Sequence, residues 1–348
     1  MKKYFLIIIL CISCQEEISL DFPQANTKLV VEGAIEAGYP PYIILTQNQG
    51  YFESIDFNTY NSLFVNNADS IKVWYYENDI KISKELKLIP TEISEAIFSI
   101  PIPIYTIADS VELISAITNP GNYNFSQAGR TYYLEIKWNN QVITSSTTIP
   151  QPTPLDCLWV QPTETIDDKD YKCDIRAIYS DPVDIQNNIL IRSKRIQHYT
   201  RNDTLKCDTI SEPDLSLKLV DAGADVLING QTFETYFPRP EGGGFPSGNY
   251  NSAHYKKCNN GNDSTLLLED IVLIKFCQID EPSMKFWRSL VRQFGTNGNP
   301  FSEPMNLVSN INNGLGIWSG YGSVYYKVPI VRDTTIFNNY KPNIIDIF

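Results

Sequence analysis

The sequence predicts a mainly β fold: an N-terminal immunoglobulin-like antiparallel β-sandwich, followed by a second β-rich domain with one helix. Three observations predict this class. The 348 residues include 21 Tyr, and only 20% are charged, a composition that favours sheet. Short segments with alternating apolar and polar residues are separated by turn residues, and long helical patterns are absent from the N-terminal half. Residues 27–150 form the predicted sandwich and 151–348 the predicted second domain.

Turn residues punctuate the predicted sandwich. A Gly and two Pro at 38–41 predict a turn, Asn78-Asp79 is a hairpin signal, and 139–141 (Asn-Asn-Gln) predicts a second hairpin. The strands predicted around these turns cover 29–36, 42–47, 70–82, 131–138 and 142–149.

The segment 150–154, Pro-Gln-Pro-Thr-Pro, predicts a stiff linker between the two domains. Beyond it, apolar alternation predicts strands at 171–180, 188–200, 270–279 and 316–331.

One helix is predicted near residue 280. Asp280 is a suitable N-cap, Pro282 suits the first turn, and Gly295 suits the end. Helical spacing places five apolar residues on one face, a stripe that predicts packing against the sheet. They are Phe286, Trp287, Leu290, Val291 and Phe294.

The first residues predict export and a lipid anchor. Lys2 and Lys3 precede an apolar run at 4–12, which is far shorter than the ~20 residues that span a bilayer. Ser13 followed by Cys14 is typical of a bacterial lipoprotein signal, in which residues 1–13 are removed and Cys14 is acylated. The alternative is a secretory signal without lipidation.

Residues 14–26 form the predicted lipidated tether. Gln15, Glu16 and Glu17 resemble the surface-export signal of Bacteroidota lipoproteins, which predicts a protein on the outer face of the outer membrane. The alternative is a plain polar tether.

The charge of the chain excludes one class of partner. With 28 basic and 40 acidic residues, the net charge is −12 at pH 7. Such a chain repels phosphate backbones, so nucleic acid is not an expected partner.

Five cysteines remain beyond Cys14, so an odd number is available for pairing outside the cytoplasm. Cys207 and Cys258 lie in polar, loop-like sequence and form the predicted disulfide. No cysteine or histidine spacing predicts a zinc site.

No catalytic motif predicts an enzyme, and no cofactor is expected. Two loops could hold a structural calcium ion, although a solvated loop is the default for each. Their oxygen-bearing residues are Asp167, Asp168 and Asp170 in one loop, and Asn259, Asn262 and Asp263 in the other.

Carboxylate pairs for glycoside hydrolysis cannot be chosen among 40 acidic residues. Sugar-stacking aromatics are conceivable in 74–76 (Trp-Tyr-Tyr) and at Trp318 and Tyr321, where core packing is the alternative.

Several segments, in this order, resemble a family of Bacteroidota outer-membrane lipoproteins of unknown function. They follow the lipidation site Cys14 and lie at 28–36 (with Gly33), 147–156, 179–192, 226–233 and 301–321. Members of this family are usually encoded beside TonB-dependent receptors. The segment 188–190 departs from the family pattern, in which aromatics follow the Asn.

The last segment, 301–321, is the most distinctive. It reads as a shaped loop between strands, with a partner-docking role as the alternative, and Asn310, Gly314, Gly316 and Trp318 are its candidate docking residues.

The resemblance implies a lipid-anchored outer-membrane protein at the cell surface. Its expected role is that of a non-enzymatic accessory or ligand-binding partner of a TonB-dependent transporter. The alternatives are a surface hydrolase acting on glycans or peptides, and an adhesive or structural envelope component.

Overall fold

The computed structural model describes most of the chain from residue 26 to residue 342. The described residues are 26–49, 61–90, 102–162, 173–183, 185, 187–203, 206–213, 217–224, 229–237, 255–257, 264–296, 307–329, 335–337 and 340–342.

These residues form seventeen strands and two helices. The strands of the N-terminal half are β1 (Leu29–Glu36), β2 (Tyr42–Gln47), β3 (Ser70–Glu77), β4 (Ile80–Leu88), β5 (Tyr105–Ile107), β6 (Thr131–Trp138) and β7 (Gln141–Thr148). The later strands are β8 (Cys157–Pro162), β9 (Cys173–Ser180), β10 (Asn188–Asp203), β11 (Lys206–Pro213), β12 (Lys218–Ala224), β13 (Thr232–Tyr236), β14 (Tyr255–Lys257), β15 (Ser264–Ile279), β16 (Leu315–Pro329) and β17 (Thr335–Ile336). The helices are α1 (Ser110–Thr118) and α2 (Glu281–Thr296).

Both predicted hairpin turns are confirmed. Asn78 and Asp79 have φ of 51° and 63°, and Asn139 and Asn140 have φ of 49° and 59°. Two consecutive left-handed residues are typical of the tight turn whose twist matches a β-hairpin, and Asn and Asp tolerate this conformation better than other non-glycine residues.

The strands form one large mixed sheet and one small antiparallel sheet. The large sheet has the order β11-β10-β15-β16-β1-β2-β5-β4-β3-β6-β7, with β12 added to β10 and β14 to β15. The small sheet has the order β13-β9-β8-β17. The two sheets bury apolar side chains between them, including Leu158, Ile175 and Tyr179 from the small sheet and Ile274 and Tyr326 from the large one.

The predicted mainly β class is confirmed, and the packed sheets are sandwich-like. The immunoglobulin-like strand arrangement stays a prediction. The domain boundary at residue 150 also stays a prediction. β1 pairs in parallel with β16, so the large sheet contains strands from both sides of that position.

The helix α2 is confirmed, with Asp280 as its cap: the Asp280 Oδ1 atom accepts a hydrogen bond from Ser283 N at 3.0 Å. The helix α1 was not predicted. Its nine residues include Val, Ile and Thr, which favour strands. The Asp109 carboxylate nevertheless caps it, accepting hydrogen bonds from Val111 N at 2.9 Å and Glu112 N at 3.0 Å.

Candidate functional site

The floor of the candidate site is the parallel pair of β1 and β16, which aligns Val30 with Leu315 and Val31 with Gly316. Gly316 has a φ of 103°, a conformation that L side chains rarely adopt. A Cβ atom at this position would overlap the carbonyl oxygen of Val31. Glycine therefore allows β16 to lie against β1 here.

The wall of the site is α2, whose apolar face lies against the sheet as predicted, although the side chain of Phe294 lies outside the described part of the chain. Phe286, Trp287, Leu290 and Val291 pack with Ala34 and Ile317, side chains that β1 and β16 present on the same face of the sheet. The capping of α2 by Asp280 and this packing together fix the wall relative to the floor.

Between floor and wall lies a pocket of about 580 Å³. Its apolar lining includes Val30, Phe286, Leu290, Leu307, Leu315 and Ile317. Leu307 and Leu315 are 41% and 37% exposed, whereas Ile317 is buried, which places the two leucines at the mouth and Ile317 deep in the pocket. Glu32, Gln293 and Ser309 contribute polar groups, and Glu32 is the charged side chain among the described lining residues.

Trp287 joins the pocket to a buried polar cluster. The guanidinium carbon of Arg192 lies 4.5 Å from the centre of a Trp287 ring. Burial raises the pKa of the neighbouring Tyr321 to about 12, an effect that Arg192 opposes, so this phenol is protonated at neutral pH.

A buried ion pair lies farther along the same face of the sheet. Lys275 Nζ lies 2.5 Å from Glu36 Oε2, and the two side chains are only 4% and 5% exposed. Tyr325 donates a hydrogen bond from its hydroxyl to Glu36 Oε1 at 2.6 Å, and burial raises the Tyr325 pKa well above its ordinary value. Both oxygens of Glu36 therefore have internal partners, an arrangement that suits a structural role better than catalysis.

Four predicted docking residues lie beside the pocket. Asn310 Nδ2 donates to Trp318 O at 2.7 Å, and Trp318 N donates to Asn310 Oδ1 at 2.9 Å. The side-chain amide of Asn310 therefore pairs with the backbone of Trp318 as a neighbouring strand would. The Trp318 side chain is fully buried. Its ring lies against Gly33, where an added Cβ would be 2.8 Å from Trp318 Cε3.

The partner-docking role of these residues stays a prediction. Gly316 lines the pocket, and Gly314 lies close to Ile311 and to the backbone of Leu29. The two hydrogen bonds between Asn310 and Trp318 hold this segment in place beside the pocket.

Comparison with known proteins identifies a family but no activity. A protein-family model described as "Domain of unknown function (DUF4249)" matches residues 15–326, nearly the whole chain. The protein belongs to this family. A search of curated proteins found no match.

Several predictions for this DUF4249 member fall outside the described residues. They are lipidation of Cys14, the export signal at Gln15, Glu16 and Glu17, and both calcium loops. The predicted Cys207–Cys258 disulfide is also untested, since Cys258 lies outside the described residues.

Cys157 and Cys277 are free thiols. Cys277 is buried beside the ion pair, and burial raises its pKa to about 11, so it is a protonated, unreactive thiol at neutral pH.

In the described part of the chain, no three His, Cys, Asp or Glu side chains are grouped as a metal site. Neither described helix has the length and apolarity needed to cross a bilayer.

The aromatic residues suggested for sugar stacking are already in contact with protein groups. Trp318 and Tyr321 are buried. Trp74 contacts Lys81, whose Nζ lies 3.8 Å from a ring centre, and stacks with Tyr133 at a centroid distance of 5.8 Å.

Sequence reasoning missed the pocket itself. Its helix-derived residues belong to the apolar stripe of α2, a pattern that predicts core packing. Glu32 and the pairing of residues 30–32 with 315–317 carried no local signal, because only the sheet register brings these segments together.

Proposed function

We propose that the protein is a lipid-anchored, non-enzymatic ligand-binding component of the outer-membrane surface that works beside a TonB-dependent receptor. The pocket between α2, β1 and β16 is the observation that carries the proposal. Its volume of about 580 Å³ lies within the range of roughly 300–1,000 Å³ that is usual for ligand sites. A mainly apolar lining with a few polar groups is also usual for such sites.

The lining favours a particular ligand chemistry. An apolar or aromatic body fills the space between Leu290, Phe286 and Ile317, where removal from water stabilises the bound state. A hydrogen-bond donor or a positive charge on the ligand pairs with the Glu32 carboxylate. The proposed ligand is therefore a small molecule with an apolar body and one N–H or cationic end.

The anchor and the receptor rest on different support. Residues 1–14 have the lipoprotein pattern, and the family match begins at residue 15, directly after the proposed acylated Cys14. The receptor partner rests on the resemblance to lipoproteins that are encoded beside TonB-dependent receptors.

Dye binding tests the pocket. The Cys14→Ser form of the mature chain is titrated with N-phenyl-1-naphthylamine, whose apolar rings and single N–H match the proposed ligand. We expect a saturable rise in fluorescence with one site per chain. The double variant Leu307→Lys/Leu315→Lys places two charges at the mouth and should weaken binding at least about tenfold, since each leucine contributes about 1.5–3 kcal/mol when fully buried.

A matched control distinguishes the pocket from general surface stickiness. Val111 and Ile114 are 77% and 60% exposed on α1, away from the pocket, and the double variant Val111→Lys/Ile114→Lys should bind the dye like the parent. Absence of saturable binding, or equal losses in both double variants, contradicts the proposed pocket.

Affinity purification from the native outer membrane tests the partner. The tagged lipoprotein should retain a TonB-dependent receptor in comparable amount. Purification of the lipoprotein alone contradicts the receptor partnership and leaves the pocket to be judged by dye binding.

A further inference from the structure

A second surface of interest lies on the outer face of the small sheet. The register aligns Tyr236 of β13 with Arg176 of β9, and Arg176 with Trp159 of β8. These three side chains share a face, opposite the buried Leu158 and Ala177. We call Trp159, Arg176 and Tyr236 the aromatic row.

The aromatic row is supported by a rigid base. Alternate residues of the same strands, including Val160, Ile175 and Phe233, pack into the core between the two sheets. Neighbouring strands lie about 4.8 Å apart, so the Cα atoms of Trp159 and Tyr236, two strands apart, are separated by roughly 10 Å.

The rings of the aromatic row are available to a ligand. Tyr236 is 60% exposed, and Trp159 is half-buried, with its Nε1 atom donating a hydrogen bond to Gln161 Oε1 at 3.4 Å. Among the described residues, no other ring or cation stacks on either one. The comparable Trp74 on the large sheet differs, because Lys81 and Tyr133 already contact its ring.

Polar groups beside the rings are held in place. Arg176 donates from Nη1 to Glu234 Oε1 at 2.8 Å, and its Nη2 atom lies 4.0 Å from Asp174 Oδ2. Two carboxylates beside one guanidinium give the surface no excess of positive charge. Together with the net charge of −12, they disfavour a phosphate-bearing ligand.

We propose that the aromatic row binds a neutral, linear polysaccharide. A pyranose ring presents a flat C–H face that stacks on an aromatic ring, while its hydroxyl groups exchange hydrogen bonds with carboxylates, amides and guanidinium groups at the edge. Two aromatic residues whose Cα atoms are roughly 10 Å apart on one face of a sheet suit sugar units two positions apart in an extended β-1,4-linked chain. This surface is separate from the α2 pocket, and either proposal can fail without the other.

Affinity electrophoresis of the mature Cys14→Ser chain tests the proposal. Native gels contain hydroxyethyl cellulose or mixed-linkage β-glucan, and migration is compared with gels lacking polysaccharide. We expect retardation of the parent protein by at least one of the two. The Tyr236→Ala variant should bind about tenfold more weakly, in line with the up to about 1.5 kcal/mol of an aromatic contact.

Controls make each outcome decisive. Tyr76 is 55% exposed on the large sheet, and Tyr76→Ala should leave the retardation unchanged. If Trp159→Ala melts like the parent protein, it should also lose binding to the polysaccharide. If Trp159→Ala fails to fold, the test rests on Tyr236→Ala. The proposal is overturned if neither polysaccharide retards the parent, if Tyr236→Ala binds normally, or if Tyr76→Ala has an equal effect.

Discussion

Substitution of Asp280 tests how the N-terminal strands are joined to α2, the wall of the pocket. Its carboxylate accepts three hydrogen bonds. Oδ1 accepts from Ser283 N at 3.0 Å and caps α2, whereas Oδ2 accepts from Thr147 Oγ1 at 2.7 Å and Thr148 N at 3.0 Å, both on β7. One side chain therefore connects a helix of the C-terminal half with a strand that precedes residue 150.

The Asp280→Ala variant loses all three bonds. Loss of an N-cap costs about 1 kcal/mol. Hydrogen bonds to a charged acceptor contribute about 1.5–3 kcal/mol each, and the half-buried position of Asp280 places the two bonds to β7 at or below the low end. We expect the free energy of unfolding to fall by roughly 3 kcal/mol in total.

The matched control is Asp109→Ala, which removes the cap of α1. Both hydrogen bonds of the Asp109 side chain are made to Val111 and Glu112 in the same helix, so its loss should cost only about 1 kcal/mol. Urea unfolding followed by tryptophan fluorescence and circular dichroism measures both variants. Equal losses in Asp280→Ala and Asp109→Ala would refute the connecting role of Asp280.

Two further predictions concern the buried pair and the pocket floor. Lys275→Met leaves Glu36 without its counter-ion and should lower the free energy of unfolding by about 3–5 kcal/mol. Adding Glu36→Leu should recover most of the lost stability. Urea unfolding measures both variants, and a double variant that is no more stable than Lys275→Met contradicts the prediction. Gly316→Ala forces a Cβ atom against the Val31 carbonyl and should lower the free energy of unfolding by more than about 2 kcal/mol. In the control Gly223→Ala, the added Cβ meets no atom within 4 Å, so the free energy of unfolding should change by no more than about 0.5 kcal/mol. Similar melting temperatures for the two variants contradict the prediction.

The architecture makes the candidate site a property of the whole chain. The floor of the pocket pairs β1, from the beginning of the described chain, with β16, from near its end. Loop-closure entropy must be overcome before such distant segments gain contacts, so this pairing is expected to form late in folding. A chain that lacks either strand has no pocket floor.

Local signals were reliable wherever short-range chemistry decides the structure. Asn78-Asp79 and Asn139-Asn140 favour left-handed backbone, and both formed the predicted turns. The apolar stripe and Asp280 cap predicted α2. The helix α1 was missed because its β-branched residues favour strands, whereas its cap and tertiary surroundings favour a helix.

The two candidate ligand surfaces could not be predicted from local patterns. Trp159 and Tyr236 become neighbours in one row only through their shared alignment with Arg176. Glu32 faces the pocket only because β1 pairs with β16 beneath α2. Trp318 is a candidate docking residue in the sequence, and only the structure shows that the space left by Gly33 accommodates its ring in the core.

The sequence by itself determined the mainly β class, the tight hairpins, the position of α2 and the acidic charge, because these depend on residues close together in the chain or on composition alone. The tertiary structure decided the sheet order, the burial of the Glu36–Lys275 pair, the pocket and the aromatic row. Strand pairing is chosen by the combined packing of side chains from distant segments, so the faces that meet a ligand exist only once the whole sheet has formed.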